Sequence, residues 1–198
     1  KKSGKYPALS KPAPEYHGVT FAETFGDLAY TIYGHAIGLR DLGPCQSPMN
    51  AFVTLSGIET LPLRMERHCA NALKVAQHLE QHKAVSWVSY AGLRKHPHHE
   101  LAMKYLPKGA GAVMTFGLKG GSAAGIKLVE SVQLFSHLAN LGDLRSLIIH
   151  PASTTHRQLT PEQQVAAGAG PDVVRLSVGL ESIDDILADL DQALAAAG

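Results

Sequence analysis

Val173-Val174-Arg175-Leu176-Ser177-Val178-Gly179-Leu180 alternates as a β-strand does. Val174, Leu176, Val178 and Leu180 fall on one face, and Val173, Arg175, Ser177 and Gly179 on the other. Ser182 follows, placed to cap a helix with Asp185 three residues on. In that helix Ile183, Ile186, Leu187, Leu190 and Leu194 share one side. A strand feeding an amphipathic helix sets the theme for everything upstream.

Working back from it, Thr160-Pro161-Glu162-Gln163 starts a short helix that stops by Gly168. Threonine caps, proline takes the first helical position, and glutamine closes a capping box. Ser146 to His150 reads as a strand. Ile126, Val129, Val132, Phe135 and Leu138 recur with helical period. Ala112 to Leu118 is a strand between glycine pairs, and Val85 to Tyr90 is another. Residues 83–198 therefore predict a small α/β domain, with helices packed on a mostly antiparallel sheet.

Before that domain comes a long helix in two parts. Ser47-Pro48 is a start signal, and Phe52, Leu55 and Ile58 follow with helical spacing. Pro62 should kink or restart the helix by removing a donor. Met65, Cys69, Ala72, Ala76 and Leu79 then form an apolar face opposite Arg64, Glu66, Arg67, Asn71, Lys74 and Gln77. Residues 19–42 read as partly helical, interrupted by Gly26, Gly34 and Gly38. Residues 1–18 read as an exposed connecting segment, opening Lys1-Lys2-Ser3-Gly4 with no methionine and no helix or strand signal.

Composition narrows the function classes. The 198 residues suit one domain, or one and a half. Eighteen basic against 17 acidic side chains leave +1, which argues against an electrostatic nucleic-acid binder. An apolar share of 45% supports a packed core. No window approaches the roughly 20 apolar residues of a membrane span, and no signal peptide is visible. The two cysteines, Cys45 and Cys69, form no CxxC pair, which suits a reducing cytoplasm. The 11 histidines are an excess without an evident purpose.

Arg175 is the most informative single residue. In mid-strand beside small neighbours, its charge must be desolvated or meet an anion. Its planar fork suits a carboxylate, and a structural ion pair is an equal alternative. Asn140-Leu141-Gly142-Asp143 permits either an anion-binding turn or an ordinary Asx turn, with the latter favoured. His150-Pro151-Ala152-Ser153-Thr154-Thr155-His156 places hydroxyls and histidines after a strand, where a site or a self-satisfied loop is equally served. His96-Pro97-His98-His99 invites a metal, but no further ligand is spaced for one, and a solvated loop off any regular helix is favoured. Cys69 reads as a small core residue. Gly117 to Gly121 lacks phosphate-loop spacing and reads as a turn.

Several stretches taken together resemble one family. They are Tyr16-His17-Gly18, Ser47 to Phe52, Gly57 to His68, Leu141-Gly142-Asp143 with Ser146-Leu147, His150 to His156, and Arg175 to Glu181. Their order and spacing resemble the Cys/Met-metabolism enzymes that use pyridoxal phosphate, and within them the O-acetylhomoserine sulfhydrylases. The resemblance implies the C-terminal part of a fold-type I pyridoxal-phosphate enzyme. Residues 1–82 would be the end of the cofactor-binding large domain and the linking helix, and 83–198 the C-terminal domain. No lysine here has the family's Ser-x-Thr-Lys context, and the family's other cofactor contacts lie upstream, so no catalytic or cofactor-binding residue is expected in this chain; ligand spacing gives no metal site either.

What the resemblance carries over is the substrate side. Arg175 matches the arginine that grips the substrate's α-carboxylate. Asn140 and Leu141 match the stretch whose backbone lies along that carboxylate, and Thr155 a threonine at the pocket's edge. His150 and His156 accompany the motif without an assigned proton transfer. The implied reaction is a transferase step of methionine biosynthesis, a γ-replacement. With pyridoxal phosphate as electron sink, acetate leaves Cγ of O-acetylhomoserine, and sulfide or a thiol adds. A cytoplasmic homotetramer acting on an amino acid, with no nucleic-acid or membrane partner, is the corresponding expectation. The other readings are a non-catalytic amino-acid-binding or regulatory domain, a metal-binding loop protein built on His96, His98 and His99, or a cystathionine γ-synthase or methionine γ-lyase of the same family.

Overall fold

The computed structural model describes residues 5–198. The opening Lys1-Lys2-Ser3-Gly4 lies outside the described residues. The chain divides into two compact units, one ending at Gly57 and the other running from Ile58 to Gly198.

The first unit is helical. It holds α1 (Pro7–Ser10), α2 (Phe21–Phe25), α3 (Ala29–Tyr33), a π-helical stretch at Gly34–Asp41, and nearly all of α4 (Pro48–Glu59). The connecting segment expected over 1–18 is more structured than its proline content suggests. Ala13 bridges Val19 in antiparallel fashion and is buried with Phe21, Ala22 and Ala29. Phe21 is the centre of this small core, edge-on to Tyr16 and Tyr33 at 5.6 and 5.1 Å between ring centroids. α4 starts as the sequence predicts, with Ser47 Oγ accepting the N–H of Asn50 at 3.2 Å. Its apolar residues are another matter. Phe52, Leu55 and Ile58 are more than half exposed, so the packed face expected there is absent.

The second unit carries the sheet. After Thr60 the helix restarts as α5 (Leu61–Gln81), with Pro62 in its first turn, where a missing N–H costs little. Then come β1 (Val85–Ser89), α6 (His99–Tyr105), β2 (Val113–Leu118), α7 (Gly121–Ser131) and β3 (Leu147–Ile149). They are followed by α8 (Pro161–Ala166), β4 (Val173–Ser177) and α9 (Ile183–Ala196). The strand order is β1-β2-β4-β3, and every neighbouring pair is antiparallel. Met114, Leu176 and Ile148 stand in one register row, with Phe116 and Val174 in the next. All five are buried in the core shared with α5, α7 and α9. The alternate row, Thr115, Arg175 and Ile149, points to the opposite face. Arg175 thus sits on an interior strand, facing away from the helix-covered core.

Other sequence expectations are changed by the second unit. The helix expected through Leu138 ends at Ser131. The cause is Asp189 on α9, whose carboxylate accepts the N–H groups of Gln133, Leu134 and Phe135 at 2.8, 2.8 and 3.2 Å, so those donors are not turned back into α7. His96 to His98 form a loop as read, and the helix that follows, α6 from His99, is one the sequence reading lacked. Seven residues are too few to show a period. Ser182 lies at the N-terminus of α9 without a side-chain capping bond, and Asp184 and Asp185 supply the favourable charge there instead. Asn71, placed on the polar face of the long helix, is only 3% exposed. Its amide donates to the carbonyls of Gly179 and Glu181, both at 3.0 Å. The capping box at Thr160 and Gln163 is present as expected.

Candidate substrate-carboxylate site

Arg175 is half-buried in the middle of β4. Its guanidinium Nη2 donates to the backbone carbonyl of Asn140 across 3.5 Å, a long bond. Among the described residues, no carboxylate forms an ion pair with it. The structural ion pair that the sequence left open is therefore not made. A guanidinium with five donors and one long neutral partner keeps most of its capacity to hold an anion. It borders a shallow surface concavity, lined also by Leu138, Ala139, Asn140, Leu147, Ile149 and Ser177.

The turn at 140–143 closes one side. Leu141 N–H donates to Asn140 Oδ1 at 2.8 Å, and Asn140 Nδ2 donates to Asp143 Oδ2 at 3.3 Å. Gly142 has φ +78°, a conformation that side-chain-bearing residues rarely adopt. Asp143 Oδ1 accepts Arg145 N–H at 3.0 Å. That amide first, and the Asn140 amide second, hold the Asp143 carboxyl below its ordinary value. The Asx geometry falls at Asp143, whose side chain accepts the N–H two residues on, and the Asn140 carbonyl faces the arginine.

A second network anchors this turn to the sheet. Glu181 accepts both the N–H and the hydroxyl of Ser146, at 2.7 and 2.9 Å, and Ser146 Oγ accepts Gly179 N–H at 2.9 Å. Gly179 leaves no room for a side chain, since a Cβ there would meet the backbone of Leu144 and Arg145 at 2.5 Å. Asn71 and the Ser146–Glu181 pair were not legible as site supports, because nothing in their spacing marks a long-range partner.

The remaining sequence candidates are placed as follows. Leu141 is 72% exposed beside the turn. Thr155 is not among the residues lining the concavity, and its hydroxyl pairs with Nδ1 of His156 at 2.9 Å. His150 is buried, with one ring nitrogen 2.9 Å from Ser153 Oγ and the other 2.9 Å from the Pro171 carbonyl. Both nitrogens are used, which accounts for it as a loop support. His96 Nδ1 accepts His98 N–H, His99 Nδ1 donates to the Ala91 carbonyl, and no group of three potential ligands for a metal occurs among the described residues. Cys69 is half-buried beside a groove that it shares with Pro62, Met65, Glu66, Lys108 and Gly109. Every described lysine is exposed, whereas a lysine that holds a cofactor covalently needs an enclosed site.

A family model described as Cys/Met metabolism PLP-dependent enzyme matches residues 16–195. The O-acetyl-L-homoserine sulfhydrylase 1 of Thermus thermophilus is 52% identical over 194 residues, covering 98% of this chain and 46% of that protein. The homocysteine synthase of Schizosaccharomyces pombe is 51% identical, covering 98% and 45%. Among solved structures, a putative O-acetylhomoserine (thiol)-lyase from Campylobacter jejuni superposes with a TM-score of 0.83 at 40% identity, covering 98% of this chain and 46% of that one. That structure contains an N′-pyridoxyl-lysine-5′-monophosphate. The chain spans about half the length of the curated relatives it matches.

Proposed function

This chain belongs to the family of Cys/Met metabolism PLP-dependent enzymes, and on that premise we propose that it forms the substrate-carboxylate side of an O-acetylhomoserine sulfhydrylase. The observation that carries the reading is Arg175, a half-buried guanidinium with a concavity beside it and no carboxylate partner among the described residues. The substrate is an α-amino acid, and its carboxylate is the anion that a planar fork binds through two parallel hydrogen bonds. Fixing the carboxylate fixes the orientation of the bonds at Cα, which is where binding energy becomes rate. Asn140 and Leu141 flank the same carboxylate along the turn, and Thr155 stands at the outer edge.

The reaction of the full-length enzyme is exchange of acetate on O-acetyl-L-homoserine for sulfide or a thiol, giving homocysteine or methionine. Pyridoxal phosphate is the cofactor of the family. The described residues do not fit its attachment, since every described lysine is exposed, so this chain's part is confined to binding and orienting the amino acid. In this reading residues 1–82 end the cofactor-binding part and 83–198 form the C-terminal domain. The same proposal takes the enzyme to be a cytoplasmic homotetramer, as the family resemblance implies.

The decisive experiment is Arg175→Ala in the full-length enzyme. We expect a large rise in KM for O-acetyl-L-homoserine, with cofactor absorbance and the KM for sulfide retained. An unchanged KM for the amino acid would overturn the assignment.

A further inference from the structure

We propose that Asp143 is a positioning residue for Arg175, acting through Asn140. The inference rests on the reading of Arg175 as the carboxylate-binding residue. Three observations carry it. Among the described residues Arg175 has one hydrogen-bond partner, the Asn140 carbonyl at 3.5 Å, so the direction of that carbonyl bears on where the guanidinium rests. The Asn140 side chain is held at both ends, its oxygen by Leu141 N–H and its amide by Asp143 Oδ2. Asp143 is itself held by Arg145 N–H, next to Ser146 and the network that ties this segment to the end of β4. A continuous path therefore runs from the carboxylate of Asp143, through the amide and carbonyl of Asn140, to the guanidinium.

Charge decides the form of the device. A carboxylate placed directly on Arg175 would neutralise it and compete with the substrate. A neutral carbonyl aims the fork and leaves its charge for the ligand. Asp143 holds Asn140 from three positions along the chain and directs its own charge to the Arg145 and Asn140 donors. The amino-acid site thus has an orienting acid that does not bind the arginine.

The test uses the full-length enzyme with Asp143→Asn and Asp143→Ala. Asparagine can still accept from Arg145 N–H, but its amide would face the Asn140 amide, donor against donor. Alanine removes both bonds. We expect KM for O-acetyl-L-homoserine to rise roughly 3- to 10-fold in Asp143→Asn, the loss of one net hydrogen bond, and further in Asp143→Ala. The kcat, the KM for sulfide and the cofactor absorbance stay within about twofold, which disruption of the fold would not permit. The double variant Asp143→Ala/Arg175→Ala should match Arg175→Ala alone, because a residue acting through the arginine has nothing to act on once it is gone. Additive rises in KM, or an unchanged KM in both Asp143 variants while Arg175→Ala raises it, would overturn the inference and leave the carboxylate assignment standing. An unchanged KM in Arg175→Ala would instead remove the assignment on which it rests.

Discussion

Asn71 and Gly179, 108 residues apart in sequence, are joined by a 3.0 Å hydrogen bond from the Asn71 amide to the Gly179 carbonyl. The same amide reaches Glu181, so one side chain of α5 satisfies two carbonyls just beyond the strand that carries Arg175. His68, one turn earlier, donates from Nδ1 to the Val178 carbonyl at 2.7 Å. The helix and the strand end are stitched by polar bonds as well as by packing.

Removing that stitch should be expensive. Asn71→Ala leaves buried carbonyls without a donor and should lower the stability of the full-length protein by roughly 2–3 kcal/mol. Chemical denaturation measures it. A change under about 0.5 kcal/mol, the usual range of a surface substitution, would show that these bonds contribute nothing net.

Asp189 makes a related case for α9. Asp189→Ala strands the amides of Gln133, Leu134 and Phe135, whereas Asp189→Asn keeps an oxygen to accept from some of them. Both should destabilise, with alanine costing about 3 kcal/mol or more and asparagine less. Thermal unfolding of the two variants gives the order, and the reverse order would refute the role given to the carboxylate.

Arg175→Lys separates charge from shape. Lysine keeps a cation but cannot present two parallel donors. KM for O-acetyl-L-homoserine should fall between those of the native enzyme and Arg175→Ala. Equality with the native enzyme would mean that charge alone recruits the substrate.

Tyr90 gives a pH prediction. Burial pushes its phenol from 10.0 up to about 12, and its hydroxyl donates to the Gly111 carbonyl at 2.8 Å. The folded protein therefore keeps a proton that the unfolded chain has already released above pH 10.0. This contribution to stability is fully present below that value and is lost as pH rises through the folded value of about 12. Stability should fall over that window, and Tyr90→Phe should flatten the slope. Phenolate absorbance followed alongside denaturation checks both.

The parts of the fold set by local chemistry were legible in the sequence. The β4 alternation, the Thr160 capping box and the restart near Pro62 each depend on residues within one turn or one strand of each other. What was missed depends on distant partners. Asn71 looked like a solvated helix residue because its acceptors lie on the far side of the chain. The end of α7 was hidden because the cause is Asp189, more than 50 positions on. For the site, Arg175 announced itself as a charge in an apolar strand. Its lack of an ion-pair partner among the described residues, and the carbonyl that it faces instead, required three dimensions.

The strand order β1-β2-β4-β3 has a consequence for how such a site can diversify. Arg175 stands on a strand with neighbours on both sides, so its Cα is held wherever the surrounding sequence drifts. The opposite wall of the concavity, residues 138–140, belongs to a loop whose own residues are largely exposed. Substitutions in that loop can reshape what lies beyond the carboxylate at small thermodynamic cost. A laboratory selection for longer or shorter side chains on the amino acid should therefore collect its changes in 138–145 and leave β4 untouched.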